Sequence, residues 1–145
     1  MSDGDYKLLQ LRAHDSEDLA VISALLQDAL VPLGDITYLP HDTSFIMAMN
    51  RYRWEHSGTR QRVHSGVRFD TVQRAQFSGI DQRNRQQFLS LMAIEFQPQG
   101  NDLDEILLHF SGEGRIRLQI DNLSCRLTDF DEPWSTHRRP DHDLG

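Results

Sequence analysis

Phe88-Leu89-Ser90-Leu91-Met92-Ala93-Ile94-Glu95-Phe96 is the stretch whose reading decides the fold. Polar Asp81-Gln82-Arg83-Asn84-Arg85 precedes it and Gln97-Pro98-Gln99-Gly100 ends it. Phe88, Met92, Ile94 and Phe96 share one parity, and Leu89, Leu91 and Ala93 share the other. Apolar residues on both parities predict a central strand covered on each side. A buried helix is the rival reading. The Pro/Gly stop and the clear strands downstream favour a strand.

Downstream, Ile106, Leu108 and Phe110 alternate with Glu105, Leu107 and His109. Ser111-Gly112-Glu113-Gly114 turns the chain, and Ile116, Leu118 and Ile120 then alternate with Arg115, Arg117 and Gln119. This predicts a hairpin with one buried and one mostly wet face. Leu123, Cys125 and Leu127 suggest a last strand, and Asp129-Phe130-Asp131-Glu132 reads as its solvated end.

Upstream, Lys7 to Leu11 reads as a short strand. His14-Asp15-Ser16-Glu17-Asp18 then opens a helix, with Asp15 or Ser16 as cap and acids at the positive end of the dipole. Leu19, Ile22, Leu25, Leu26 and Ala29 recur at helical spacing, and Pro32 disfavours helix at Val31, so the helix is predicted over 16–29. Ile36 to Leu39 and Thr43 to Trp54 form a hairpin about Pro40-His41-Asp42, and further strands run from Val63 to Asp70 and from Val72 to Phe77. The expected fold is α+β in a single domain over residues 1–145. One N-terminal amphipathic helix packs on a mostly antiparallel sheet or half-closed barrel of about seven to eight strands. Residues 131–145 are expected to be a polar, partly mobile tail, with Trp134 tucked back on the body.

Composition narrows the function. The chain has 145 residues, 38% hydrophobic and 26% charged, enough for a real core. No apolar run approaches the roughly 20 residues that span a bilayer, and the acidic start lacks a secretory signal, so cytoplasm is the expected compartment. Net charge is −7, with the acids concentrated towards both ends. Residues 1–30 carry −4, 31–99 carry +2 and 100–145 carry −5. Acidic ends argue against general nucleic-acid or membrane binding, which needs a basic field. The one cysteine, Cys125, reads as a small core residue.

Several stretches together resemble one family: Asp18 to Ala24 with Leu26 to Ala29, Tyr38-Leu39-Pro40, Asn50 to Glu55, Gly66 to Asp70, Leu89 to Ile94, and Pro133-Trp134-Ser135-Thr136. The chain is similar over nearly its whole length to the uncharacterised alphaproteobacterial proteins grouped as domain of unknown function 2948. The resemblance implies a bacterial cytoplasmic protein of one domain. It brings no activity, ligand or catalytic residue.

Function therefore rests with the residues. Arg51, Tyr52, Arg53 and Trp54 end one strand, and Arg60, Arg62, His64 and Arg68 share a parity in the next. If the two strands pair, these ends meet on one surface. Arginine forks hold carboxylate or phosphate, and Tyr and Trp stack. The plainer reading is a solvated strand face whose arginines pair with the acids of the N-terminal helix, with Trp54 packed beneath them.

Catalytic chemistry finds little footing. There is no nucleophile elbow, and Ser111 to Gly114 opens a strand rather than a phosphate-binding helix. His137 and His142, beside Arg138 and Arg139, make a poor zinc site. No catalytic residue, metal or cofactor is expected. The expected function is a noncatalytic binding module that engages a protein partner, or a second copy of itself, through an exposed sheet face. The alternative is a small enzyme or sensor that binds an anionic metabolite through clustered arginines.

Overall fold

The computed structural model describes residues 8–55, 61–100, 102–130 and, by backbone, 134–135. Its chain runs β1 (Gln10–Ala13), α1 (Ser16–Leu25), β2 (Ala29–Pro32), β3 (Ile36–Leu39), β4 (Ser44–Tyr52), β5 (Gln61–Phe69), β6 (Val72–Ser78), β7 (Phe88–Gln97), β8 (Asp104–Phe110), β9 (Arg115–Ile120), β10 (Cys125–Asp129) and β11 (Trp134–Ser135). The strands join one sheet in the order β1-β10-β5-β4-β2-β7-β8-β9-β6, with β3 also on β4 and β11 also on β5. The pairings are antiparallel. The sheet stays open between β1 and β6, yet its inner residues from Ala13 to Leu127 fall into a single core with Leu19, Ile22 and Leu26 of α1 and its C-cap. The sheet therefore curls around its core, and α1 packs against β7 and β1.

The antiparallel sheet with one helix agrees with expectation. The count does not: eleven strands appear among the described residues, not seven or eight. The helix is also shorter than 16–29, spanning Ser16–Leu25 after β1. Asp15 caps it as expected, its Oδ1 accepting from Asp18 N at 2.8 Å. It stops at Leu25, and three residues on Asp28 takes a left-handed φ of 63° that prevents its resumption, a region Asp tolerates better than most residues. Asp28 N then donates to Leu91 O at 2.7 Å. Ala29 and Val31, both fully buried, continue with period two as β2, between β4 and β7. Pro32 ends a strand, not a helix.

The stretch Phe88 to Phe96 is an interior strand, β7, but it is not apolar on both faces for the reason expected. Leu89 and Leu91 enter the core, the register then shifts between Leu91 and Ala93, and Ile94 follows them inward. A bulge has changed which parity faces the core. Phe88, on the unswitched parity, is 62% exposed.

The hairpin of β8 and β9 forms as read, with Ile106 opposite Leu118 and Leu108 opposite Ile116. The β3–β4 hairpin about Pro40–Asp42 also forms. Cys125 is buried and its thiol is pushed up to about 12 by desolvation, which leaves it inert. Of the tail, Trp134 pairs by backbone with Arg62. Residues 131–133 and 136–145 lie outside the described residues, and with them the histidine pair.

Candidate functional site

β4 and β5 do pair, with Tyr52 opposite Arg62 and Arg51 opposite Val63. Side chains alternate across a strand, and that divides the expected patch. On β4, Phe45, Met47 and Met49 face the core. Arg51 and then Arg53 continue on their side, while Tyr52 faces out. On β5, Val67 and Phe69 face in, so Arg62, His64 and Arg68 face out. The sheet thus places Arg51 and Arg53 on one face and Tyr52, Arg62, His64 and Arg68 on the other. Trp54 joins the outer group through its ring contact with Tyr52, and Arg60 lies outside the described residues.

The inner group is a buried ion cluster at one end of the curled sheet. Arg51 is fully buried. Its Nε and Nη2 donate to Asp129 Oδ1 and Oδ2 at 2.9 and 2.8 Å. Its Nη1 and Nη2 donate to Glu55 Oε1 and Oε2 at 2.9 and 2.8 Å, and Nη1 also reaches Tyr52 O at 3.4 Å. All five N–H groups of the fork are engaged. Asp129 accepts further from Ser65 Oγ at 2.6 Å and Leu9 N at 3.0 Å. Burial alone would depress the Arg51 pKa, but the hydrogen bonds that it donates to Glu55 and Asp129 outweigh it and hold the guanidinium above its ordinary value. Burial also works to raise Asp129 and Glu55, and the Arg51 bonds reverse that, keeping both carboxyls below their usual range.

Asp129 is 4% exposed, which corrects its reading as a solvated strand end. Its parity carried the signal: it shares a side with Cys125 and Leu127, so an acid stood where the core pattern demanded an inward residue. Arg53, 2% exposed, donates its backbone N to Gln61 O and Nη1 to Gln61 Oε1 at 2.5 Å, and its Nε lies 3.8 Å from Glu55 Oε2. Desolvation holds its pKa below the ordinary arginine value.

The outer group is aromatic and polar. Tyr52 packs edge-on to Trp54 at 4.7 Å between centroids, and Trp54 Nε1 donates to Gln27 O. Arg62 lies 6.0 Å above the Tyr52 ring and donates Nη1 to Asn50 Oδ1 at 2.7 Å. Burial lowers its pKa, against the attraction of Asp28. His64 stacks parallel on Phe130 at 6.2 Å. Arg68 stands apart, paired with Asp70 at 2.8 Å and donating to Ser44 Oγ.

Between these features the outer face is hollow. A recess of about 460 Å³ lies over β4, where Ala48 and Asn50 face out. His64 and Phe130 border it on the β5 side, Pro32 and Phe88 on the β2–β7 side. Phe88 and Phe130 are 62% and 52% exposed. Neither was singled out from the sequence. Alternation alone puts Phe88 on a covered face, which the β7 bulge overturns, and Phe130 at a solvated strand end.

Among the described residues no group of three His, Cys, Asp or Glu could hold a metal ion, and no helix is long and apolar enough to cross a membrane. Residues 9–142 match the model of a family described as "Protein of unknown function (DUF2948)". Neither a curated protein nor a solved structure matches the chain.

Proposed function

The chain belongs to the DUF2948 family, whose description carries no activity, and from the geometry we propose that it is a noncatalytic binding module for a protein partner. The recess between Phe88 and Phe130 carries this reading. Single exposed apolar residues are ordinary, but two aromatic rings on opposite borders of a hollow in a sheet face have the form of a docking surface. Asn50 and His64 add polar groups of the kind that fix orientation. A partner side chain of apolar or aromatic character, entering over Ala48, is the occupant that fits. Cytoplasm remains the proposed compartment.

The arginines contribute unequally. Arg62 and Tyr52 buttress the recess from beside Asn50. Arg51 has no donor left for a ligand, which counts against the rival reading of an anionic metabolite held by clustered arginines.

A photoactivatable residue in place of His64 tests the proposal. It should crosslink a discrete partner in the native cell extract, and the same residue in place of Arg117, on the outer face of β9, should not. Equal crosslinking from both positions would remove the recess from the account.

A further inference from the structure

Arg12 of β1, Arg126 of β10 and Arg68 of β5 stand in one row across three strands. Arg126 lies opposite Arg12 on one side and opposite Arg68 on the other. Their strand neighbours Ala13, Cys125, Leu127, Val67 and Phe69 belong to the core. Alternation therefore turns all three arginines to the outer face, where each is exposed. Like charges placed directly opposite one another on a sheet repel. Among the described residues one acid answers them: Asp70 pairs with Arg68 at 2.8 Å and lies 4.0 Å from Arg126. Arg68 also donates to Ser44 Oγ. Arg12 meets no carboxylate among the described residues.

A recess of about 340 Å³ opens over the Arg12–Arg126 pair, lined by both arginines with Gln10, Leu11 and Thr128. Arg126 and Thr128 also line a smaller hollow of about 200 Å³ towards Arg68. The larger recess gathers two guanidinium forks, an amide and a hydroxyl, and no acid lines it. None of these side-chain donors meets a hydrogen-bond acceptor among the described residues. Neighbouring strands lie about 4.8 Å apart, so two opposed forks can close on one anion from either side. Arginine forks match the oxygens of phosphate. We propose that this recess takes the phosphate group of a small phosphomonoester, with Arg12 and Arg126 as the clamp and Thr128 and Gln10 as neutral donors.

Charge selects the ligand. Arg12, Arg126 and Arg68 with Asp70 sum to +2, which a phosphomonoester at about −1.5 to −2 matches near neutral pH. A single carboxylate or chloride matches it only by half. The chain as a whole carries −7, so the row is a local basic island rather than a track for a long polyanion. A bound dianion would also relieve the repulsion that the row builds into the sheet. This recess shares no lining residue with the one between Phe88 and Phe130, and it stands or falls independently of the proposed partner.

The test is a titration of the intact chain with methyl phosphate, above the second phosphate pKa of about 6, read from backbone amide resonances by NMR. Sodium chloride at matched ionic strength and inorganic phosphate run beside it. The amides of Arg12 and Arg126 should shift saturably with methyl phosphate and not with chloride. That of Arg117, exposed on β9, should stay in place. Arg12→Gln and Arg126→Gln should each weaken binding roughly tenfold. Both side chains are exposed and each change removes a repulsion, so neither variant should lose Tm appreciably. Shifts no larger than at Arg117, equal shifts with chloride, or undiminished affinity in the variants overturn the site. Binding of inorganic phosphate with methyl phosphate inert overturns the monoester.

Discussion

Arg51 and Arg62 stand on adjacent paired strands, one register step apart, and both are buried, but on opposite faces of the sheet and with different partners. Arg51 enters the curl of the sheet and spends its entire fork on Glu55, Asp129 and the Tyr52 carbonyl. Arg62 turns outward, lies over Tyr52 and steadies Asn50 at the border of a recess. The residue type is the same and the parity differs. Inside, a cation with matched carboxylates is an internal fastening. Outside, Arg62 is buried against Tyr52 and Asn50, and the exposed rings of Phe88 and Phe130 flank the recess beside them. A cluster of arginines in a sequence is therefore not yet a site; the strand's alternation must first sort it by face.

The largest effect should come from the inner side. Asp129→Ala leaves the Arg51 charge buried with half its carboxylate partners gone, and removing one member of a buried pair costs about 3–5 kcal/mol. Urea unfolding measures it. A cost near that of a surface substitution would mean that the cluster is wetter than its geometry, and the contrast between faces would weaken.

Acid should sharpen the contrast next. Asp129 and Glu55 are held below their ordinary values in the fold. A depressed carboxyl gives stability that is full above its unfolded pKa, ~4, and lost as pH falls through the lower folded value. Unfolding free energy should therefore drop steeply below about pH 4 in the wild type. Asp129→Asn should be less stable at neutral pH and show a shallower acid slope. Parallel slopes would contradict the assignment of that titration to the cluster.

The smallest effect belongs to the outer ion pair. Arg68 and Asp70 have side chains 44% and 28% exposed, and such pairs contribute about 0–1 kcal/mol. Arg68→Ala should shift the urea midpoint little, and what shift there is should shrink with added salt. A loss comparable to Asp129→Ala would show that the outer face also carries structural charge.

Where alternation was regular and uninterrupted, the sequence was readable. The β8–β9 hairpin and the β3–β4 hairpin declare themselves because apolar parity and turn residues agree. Ala29 hid β2 because it fits two patterns at once. It continues the helical spacing of Ile22 and Leu26, and it shares a two-residue period with Val31. Only the left-handed turn at Asp28 decides between them. The bulge in β7 mimicked a doubly buried strand, since an added residue switches parity without any change in composition. For the site, the parity that carries Met47 and Met49 on to Arg51 was present in the sequence, as was that from Cys125 to Asp129. The recess was not, because Phe88 and Phe130 are 42 positions apart in the chain and meet only through the strand order.

The most direct test of the division between faces is one paired measurement on Phe88→Glu/Phe130→Glu beside the wild type: the thermal melt of each, and the affinity of each for the partner crosslinked through His64. The melts should nearly coincide, since both rings are largely exposed, while partner affinity falls at least ~10-fold, a loss of about 1.4 kcal/mol or more. Undiminished affinity in a folded double variant would contradict the account and return the search to the rest of the outer surface.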